Sequence, residues 1–205
     1  MARVCPFSLY LITDRNLCGG WDPLLTALER ALAGGADAVQ LREKDLSAGE
    51  LYPRARQVRE LTRRFGARLL INDRADVALA VEADGVHLGG HSLPAAVVRE
   101  RLGAELLVGV STHSVAEVAT AAAGGADFVT FGPVYATPSK AAYGLPLGVT
   151  TLGDACRAAS LPVYALGGVT PERRAEVLAA GAAGCAVIAA VLGAVDPGRA
   201  AASFL

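Results

Sequence analysis

The chain has little of what marks secreted, membrane-spanning or nucleic-acid-binding proteins. Its four cysteines are widely spaced and form no CxxC pair, which argues against a disulfide framework and against a zinc site. The longest apolar run, around residues 185–195, is shorter than the roughly 20 residues that cross a bilayer. The formal net charge is only -1, so we expect neither nucleic-acid binding nor a basic membrane-binding face.

The size and the apolar content of the chain suit one domain. It has 205 residues, of which 53% are hydrophobic, and this is enough to bury a sizeable core. The first residues have only a brief apolar stretch before Asp14 and Arg15, which favours a strand over a signal peptide. We therefore expect a reduced, cytoplasmic, soluble protein in which residues 1–205 form a single domain.

Short β-rich runs alternate with helical segments along the whole sequence. Residues 22–35 place four leucines on one helical stripe, and residues 48–66 form a second helical segment. A faint repeat, AGGADAV, EADGV, AGGADFV and AGAAGCAV, marks points where a helix ends at a glycine before a buried strand. The predicted strands are 8–13, 38–43, 68–73, 85–89, 106–112, 128–134, 162–168 and 185–191.

This alternation of eight strands with helices predicts an α/β fold, a single (β/α)8 TIM barrel. An open, doubly wound sheet is the alternative, because periodicity alone does not reveal whether the sheet closes. In a barrel of this kind, binding and catalytic residues gather at the carboxyl ends of the strands and in the loops that follow.

The rarest polar residues follow predicted strands. Lys44 and Lys140 are the only lysines against 17 arginines, and both lie just after a strand. A compact ammonium aimed at one phosphate or leaving group is not interchangeable with a guanidinium, so we interpret both lysines as functional. All three histidines, His87, His91 and His113, fall near the ends of predicted strands four and five.

A glycine pair marks the end of the seventh predicted strand. Gly167 and Gly168 precede Thr170 and Pro171, which have the chemistry of a helix start. Glycines let main-chain N–H groups approach an anion at a helix N-terminus, and phosphate sites in TIM barrels commonly follow strands seven and eight. The sequence therefore predicts a phosphate site here, although tight turns also need paired glycines.

Seven stretches of the chain resemble, in order, those of the thiamine phosphate synthase/TenI family. They are YLITD (10–14), QLREK (40–44), INDR (71–74), VHLG (86–89), GVSTH (109–113), GPVYATPSK (132–140) and ALGGV (165–169). The resemblance implies a TIM barrel that handles a thiazole phosphate in thiamin biosynthesis. In the synthase branch that thiazole phosphate is joined to a hydroxymethylpyrimidine pyrophosphate, and Mg²⁺ helps pyrophosphate to leave.

The resemblance also implies roles for the matching residues. The pyrimidine pyrophosphate would be held by Gln40, Arg42, Lys44, Asn72, Ser111 and Lys140, of which Lys140 is also a candidate catalytic residue. The thiazole phosphate would be held by Thr137, Ser139, Gly167, Gly168 and the backbone near Ile188 and Ala189. Asp73 would be one of two carboxylates that bind magnesium.

The second magnesium carboxylate is missing from the sequence. The synthases typically have a motif close to HxGQxD after the fourth strand, whereas this chain has HLGGHS, with Gly90 for the glutamine and Ser92 for the second aspartate. A neutral hydroxyl is a poorer magnesium ligand than a carboxylate, and the imidazole of His91 suits zinc or copper better. We therefore interpret His87 and His91 as the remains of a metal loop.

His113 points to the other branch of the family. The resemblance implies that TenI proteins are thiazole tautomerases, which move one proton within a carboxythiazole phosphate without a metal. A histidine that corresponds to His113 would be the acid and base, since imidazole titrates near neutrality. The alternative is that His113 has no catalytic role and is only the neighbour of the N-cap residue of the helix that follows.

Three hypotheses follow for the function. The first is a metal-independent thiazole tautomerase that needs no cofactor, because the second carboxylate is absent. The second is a Mg²⁺-dependent thiamine phosphate synthase, because the stretches that would bind pyrophosphate are intact. The third is a non-catalytic sensor of thiazole or thiamin phosphate. Under each of them we expect a phosphorylated small molecule as ligand, no nucleic acid or membrane partner, and a possible homodimer, with residues 136–146 as a candidate lid.

Overall fold

The computed structural model describes residues 7–137 and 145–205. Its eight strands are all parallel and close in chain order, with the last strand pairing with the first. This confirms the predicted TIM barrel and excludes the open sheet. Ser139, Lys140 and most of the candidate lid lie outside the described residues.

Each strand is short and most are followed by a helix on the outside of the barrel. The strands are β1 Leu9–Ile12, β2 Ala38–Leu41, β3 Arg68–Asn72, β4 Gly85–Leu88, β5 Leu107–Thr112, β6 Phe128–Phe131, β7 Val163–Leu166 and β8 Gly184–Val187. The helices are α1 Trp21–Ala33, α2 Ala48–Arg64, α3 Ala75–Ala80, α4 Ala95–Leu102, α5 Val115–Ala123, α6 Gly148–Ala158, α7 Pro171–Ala179, α8 Ala189–Leu192 and α9 Pro197–Ala202.

The helices form where the sequence pattern places them. The α1 stripe predicted from its leucines is the buried face, with Leu24, Leu28 and Leu32 against the sheet. Helix α2 begins at a capping box, in which the Ser47 hydroxyl and the Glu50 carboxylate each accept an N–H of the other residue. Among the described residues, no helix is both long and apolar enough to cross a membrane.

The eighth strand is shorter than predicted, and a helix replaces its second half. Strand β8 ends at Val187, and the short helix α8 begins at Ala189 with Ile188 as its N-cap. The whole segment from 185 to 191 is apolar, and a continuous apolar run does not distinguish a buried strand from a buried helix turn. The correction places Ile188 and Ala189 at a helix start.

Two apolar layers hold the barrel together. One lies between the outer face of the sheet and the helices, and the other fills the barrel interior. The interior layer is aromatic, because Phe7, Tyr10, Phe128 and Tyr164 pack with ring centroids 4.5–6.5 Å apart. Among the described residues it fills the amino-terminal half of the barrel interior, whereas ligands of TIM barrels bind at the carboxyl ends of the strands.

Three aspartates fasten the rim where the strands begin, which we call the N-terminal rim. Asp37, Asp84 and Asp127 directly precede β2, β4 and β6. Each accepts a main-chain N–H from the start of the preceding strand, at distances of 2.8–2.9 Å. The repeat seen in the sequence therefore has a second role besides helix termination. Ala183 occupies the corresponding place before β8 and has no carboxylate to offer.

Candidate active site at the C-terminal rim

Several predicted substrate-binding residues meet where strands β2 to β5 end, which we call the C-terminal rim. The register of the sheet aligns Ile12 with Gln40, Asn72 with His87, and Ser111 with Thr130. The side chains at these positions face the barrel interior. They lie two residues further along their strands than the side chains of the aromatic layer, towards the carboxyl ends. Gln40, Asn72 and Ser111 thus surround the mouth of the barrel, as expected from the sequence.

A hydrogen-bonded chain of side chains lies under this mouth. The Gln40 amide donates to the Tyr10 hydroxyl at 3.1 Å, and that hydroxyl lies 3.2 Å from Nδ1 of His87. On the other side of the ring, Nε2 of His87 is 3.0 Å from the Ser111 hydroxyl. The chain connects two predicted substrate-binding residues, Gln40 and Ser111, through groups that a ligand does not reach.

His87 is a neutral histidine of the barrel interior. It is only 2% exposed, and burial together with the nearby charge of Arg42 lowers its pKa to about 3. An imidazole with both ring nitrogens in hydrogen-bond contact has no lone pair to give to a metal ion. His91, by contrast, is exposed in the turn after β4. The two histidines do not form a pair, and our interpretation of them as the remains of a metal loop stays a prediction.

Arg42 and Lys44 bring two positive charges to one side of the rim. Desolvation lowers the pKa of Lys44, the Arg42 charge lowers it further, and the Asp73 charge opposes both. The Arg42 charge also reaches His87 at the barrel mouth. Within residues 7–137 and 145–205, neither side chain has an ion pair or a hydrogen bond. Two cations without an ion pair among the described residues attract anions to this side of the barrel mouth.

Asp73 stands at the end of β3 in an unusual backbone conformation. Its φ is 64°, in the left-handed region that few residues other than glycine adopt. The main chain fixes it there, since its N–H donates to the His87 carbonyl at 2.9 Å and its carbonyl accepts from Ala75 at 3.1 Å. Such strain is common at functional sites, and here it presents an exposed carboxylate beside Lys44.

Ser92 closes its own turn. Its hydroxyl accepts the N–H of Gly89 at 2.8 Å, and its own N–H donates to the Gly89 carbonyl at 3.0 Å. The part of the chain that the structure describes has no group of three or more histidine, cysteine or acidic residues that could hold a metal ion. The donor set, one carboxylate and one engaged hydroxyl, fits a Mg²⁺ ion that arrives with a pyrophosphate and takes most of its oxygens from it.

His113 follows β5 and is held in one orientation. Its Nδ1 lies within hydrogen-bond distance of the Gly132 carbonyl, and its main-chain N–H donates to the Glu117 carboxylate at 2.7 Å. A carbonyl only accepts, so Nδ1 carries the hydrogen and the Nε2 lone pair of the neutral ring is left for another partner. His113 is exposed at the rim, which leaves Nε2 accessible to a ligand.

The loops after β6 and β7 pack tightly on one another. Gly167 and Gly168 have φ of 93° and 64°, and a Cβ on them would lie 2.6 Å from Pro133 and 2.7 Å from the Ala136 carbonyl, respectively. Only glycine fits both constraints. Arg173 secures the turn, since it donates to the Gly168 carbonyl at 2.6 Å and stacks 4.3 Å from the Tyr135 ring centre.

Residues predicted to bind the thiazole phosphate lie in and near this turn, apart from Ser139, which lies outside the described residues. Strands β7 and β8 are neighbours, so Gly167 and Gly168 lie beside Ile188 and Ala189 at the start of α8. Thr137 is half-buried at the end of the described segment after β6. A glycine turn and a short helix after β8 are the elements from which TIM barrels commonly build phosphate sites.

Sequence analysis missed a buried carboxylate between the two cations. Glu43 is only 6% exposed, and its partners are Thr13 and Arg15 at the end of β1. The residue lies in the QLREK stretch, where attention fell on Gln40, Arg42 and Lys44. Alternation along the strand places Glu43 on the opposite side from Gln40 and Arg42, but it does not reveal the partners that Glu43 meets there.

The closed barrel, the cations and the glycine turn define a TIM-barrel protein of the kind that handles phosphorylated ligands. A family model described as thiamine monophosphate synthase matches residues 9–191. The chain belongs to this family, as the resemblance predicted, and is an enzyme of thiamin biosynthesis.

The most similar proteins share this family. A Geobacter sulfurreducens protein with a provisional thiamine-phosphate synthase name is 59% identical over 96% of the chain and 92% of its own length. A Moorella thermoacetica protein named thiamine-phosphate synthase is 47% identical over 95% of the chain and 92% of its own length. Among solved structures, thiamine phosphate pyrophosphorylase from Pyrococcus furiosus has a TM-score of 0.87 at 37% identity, with 97% of this chain and 93% of that chain covered.

Proposed function

We propose that this protein is a thiamine-phosphate synthase, which joins a hydroxymethylpyrimidine pyrophosphate to a thiazole phosphate and releases pyrophosphate. The observation on which this rests is the pair of cations, Arg42 and Lys44, which have no ion pair or hydrogen bond among the described residues and lie beside the Asp73 carboxylate. A tautomerase acts on a monophosphate and has no use for a second anion site on the opposite side of the rim. The names of the similar proteins support the synthase, and our first hypothesis, the tautomerase, has no such support.

The geometry provides one place for each substrate. We assign the diphosphate to Arg42 and Lys44, because charge-assisted hydrogen bonds to phosphate oxygens are among the strongest available to a protein. The pyrimidine ring would lie over Gln40, Asn72 and Ser111. The thiazole phosphate would lie on the other side, with Thr137, Ser139, Gly167, Gly168 and the N–H groups near Ile188 and Ala189.

The chain's task in such a reaction is alignment and charge stabilisation. The bond between the pyrimidine methylene carbon and the pyrophosphate oxygen breaks, and a bond from the thiazole nitrogen to that carbon forms. The electron pair of the broken bond leaves with pyrophosphate, so no proton transfer is required for balance. Arg42 and Lys44 would stabilise the charge that develops on the departing oxygen, and Lys140, which lies between β6 and α6 in the sequence, would add a third cation.

A Mg²⁺ ion fits this site as a companion of the pyrophosphate. Asp73 would hold it from the protein side, and Ser92 has the sequence position at which the resemblance implies a second ligand. When bound, the ion would neutralise part of the leaving group's charge. Asp73 also lies close enough to Lys44 to stabilise the ammonium when the site is empty of anion.

A two-substrate assay tests this proposal. Wild-type protein should release pyrophosphate from the pyrimidine pyrophosphate and the thiazole phosphate in millimolar Mg²⁺, and chelation of the ion should stop the reaction. Lys140→Ala should abolish this release. Ligand binding without turnover would instead establish the sensor, and failure of the wild type in Mg²⁺ would end the synthase proposal.

The tautomerase is the second candidate, because the fixed orientation of His113 favours it. The bond from Nδ1 to the Gly132 carbonyl leaves Nε2 as an acceptor, which is the state that a general base needs. Conversion of the ylidene carboxythiazole phosphate to its aromatic isomer in EDTA would establish this activity. We expect His113→Asn to remove it, and persistence of the activity in that variant would exclude His113 as the base.

A further inference from the structure

We propose that Glu43 is a positioning residue, which acts through the backbone of residues 42–45 to hold Arg42 and Lys44 together against their mutual repulsion. The inference deepens the proposed function and rests on it. Arg42 and Lys44 would contact the pyrophosphate, whereas Glu43 lies behind them and touches no substrate. Its test is therefore pyrophosphate binding by itself, measured apart from the coupling reaction.

The Glu43 carboxylate is fully engaged with the end of β1. Its Oε1 accepts the Thr13 hydroxyl at 2.7 Å, and its Oε2 accepts the Arg15 guanidinium at 2.9 Å. Both oxygens also lie 3.3 Å from the Arg15 main-chain N–H. The side chain is only 2% exposed. A buried carboxylate with this many donors is fixed in position, and so is the backbone that carries it.

The same cluster fastens the residues on both sides of Glu43. The Thr13 hydroxyl accepts the main-chain N–H of Arg42 at 2.8 Å. The Arg15 guanidinium contacts both Glu43 and Asp45. One of its terminal nitrogens donates to Glu43, and both donate to the Asp45 carboxylate. Arg42, Glu43 and Asp45 are therefore tied to β1, and Lys44 lies within the fastened segment.

A turn carries Lys44 beside the fastened Arg42. Lys44 and Asp45 are its central residues, and the Leu46 N–H closes it on the Glu43 carbonyl at 3.2 Å. Glu43 and Asp45 both contact Arg15, so the turn is anchored on either side of Lys44, which keeps Lys44 next to Arg42. The electrostatics agree with this placement, because Arg42 acts on Lys44 and on His87 at the barrel mouth, and Lys44 also senses Asp73. Two cations that repel one another would separate on a free loop, and the cluster behind them prevents this.

The consequence is a site that is ready for a diphosphate before the ligand arrives. A binding site whose charged groups are held in place loses less entropy on binding than one whose groups must be collected. Weakening the cluster should therefore reduce pyrophosphate affinity more than it changes the affinity for the thiazole phosphate, whose site lies at β7 and β8.

The experiment measures inorganic pyrophosphate binding by titration calorimetry, in Mg²⁺, with thiazole phosphate as the second ligand. Glu43→Gln removes the charge that Arg15 needs, and Thr13→Val removes the hydroxyl that joins Glu43 to the Arg42 N–H. We expect each variant to lose about 10-fold in pyrophosphate affinity, as order of magnitude for lost preorganisation. Thiazole phosphate affinity should stay within about 2-fold of the wild type, the usual size of remote effects.

Two further variants separate positioning from general damage. Thr13→Ser keeps the hydroxyl and should therefore bind pyrophosphate as tightly as the wild type. If Glu43→Gln fails to fold, the difference in affinity between Thr13→Ser and Thr13→Val tests the inference instead. Asp84→Asn is a matched control, because Asp84 also accepts a main-chain N–H and arginine donors, but at the N-terminal rim. It should lower stability and leave pyrophosphate affinity unchanged.

The outcomes distinguish the inference from the proposed function. If the wild type itself does not bind pyrophosphate, the proposed synthase site is wrong. If the wild type binds and both Glu43→Gln and Thr13→Val bind equally well, the positioning role is overturned while the synthase stands. Equal losses for pyrophosphate and thiazole phosphate would show a structural role only and would also overturn the inference.

Discussion

The two rims of the barrel use charge in opposite ways. At the N-terminal rim, Asp84 accepts the Leu69 N–H and two arginines, so its charge is satisfied within the protein. At the C-terminal rim, Arg42 and Lys44 share one side of the mouth without an ion pair among the described residues. The paired charges of the N-terminal rim stabilise the fold, whereas the cations of the C-terminal rim attract an anionic ligand.

The difference follows from what each rim has to do. Desolvation would raise the pKa of the Asp84 carboxyl, yet the Leu69 N–H and the arginines outweigh it and lower that pKa below its usual range. Its contribution to stability is therefore present above the ordinary aspartate pKa and is lost only as the pH falls below it. Arg42 and Lys44 at the C-terminal rim contribute no comparable stability, because they point to the proposed anion site and have no ion pair among the described residues.

The largest expected effect that would sharpen this contrast is on activity. Lys44→Ala should lower kcat/KM for pyrophosphate release by about 100-fold, the order found when one preorganised charge donor is removed. The free energy of unfolding should change by no more than about 0.5 kcal/mol, because an exposed lysine without partners stabilises little. A steady-state assay and a denaturant titration measure the two quantities. A variant that unfolds readily but stays active would break the contrast.

The mirror experiment is at the N-terminal rim. Asp84→Asn should reduce the free energy of unfolding by about 2–4 kcal/mol, because it leaves the mostly buried Arg59 without its carboxylate. The activity of the folded variant should equal that of the wild type. Denaturant unfolding followed by circular dichroism gives the first value. An unchanged free energy of unfolding would show that the Asp84 contacts do not stabilise the fold, and would contradict the contrast between the two rims.

The buried, neutral His87 below the barrel mouth should make the free energy of unfolding depend on pH. Its pKa is about 3 in the folded protein against 6.5 for the free side chain, so below pH 6.5 the unfolded chain binds a proton that the folded barrel does not. Stability should therefore be complete above that value and should fall with falling pH, by about 2 kcal/mol at about pH 5. His87→Gln should remove this part of the slope in unfolding experiments. Equal slopes in both proteins would contradict the neutral state of His87.

The smallest expected effect concerns Asp73. Asp73→Gly removes the cost of a left-handed non-glycine residue, so it should raise the free energy of unfolding by up to about 1 kcal/mol. The same change should raise the Mg²⁺ concentration needed for half-maximal pyrophosphate binding in calorimetry. Asp73→Asn is the control, since asparagine tolerates this conformation but carries no charge. A glycine variant less stable than the wild type would show that Asp73 is not strained.

The fold could be predicted because each of its signals is local. Buried runs such as 68–73 and helix starts such as Ser47 lie within a few residues of sequence, and each of the eight strands in the described part of the chain is followed by a helix. The failure at β8 is of the same kind, since Val187 and Val191 belong to one apolar run in which strand and helix look alike.

The candidate site could be predicted only in part, because its contacts connect distant strands. The sequence pointed to Arg42, Lys44 and Asp73 as rare or motif residues at strand ends. It gave no hint that Glu43 turns back to Thr13, because that bond spans 30 residues and depends on the register of β1 against β2. The fixed orientation of His113 likewise comes from a carbonyl 19 residues away.

The aspartates of the N-terminal rim imply where the barrel opens most easily. Asp37, Asp84 and Asp127 each add side-chain hydrogen bonds between an odd-numbered strand and the even-numbered strand that follows it, whereas Ala183 adds none to the main-chain bonds of the β7–β8 pair. Local opening starts where the fewest bonds must break, and native-state hydrogen exchange is fastest there. Of the four pairs in which an even-numbered strand follows an odd-numbered one, β7–β8 should therefore open first, and it leads up to the glycine turn and the short helix assigned here to the thiazole phosphate.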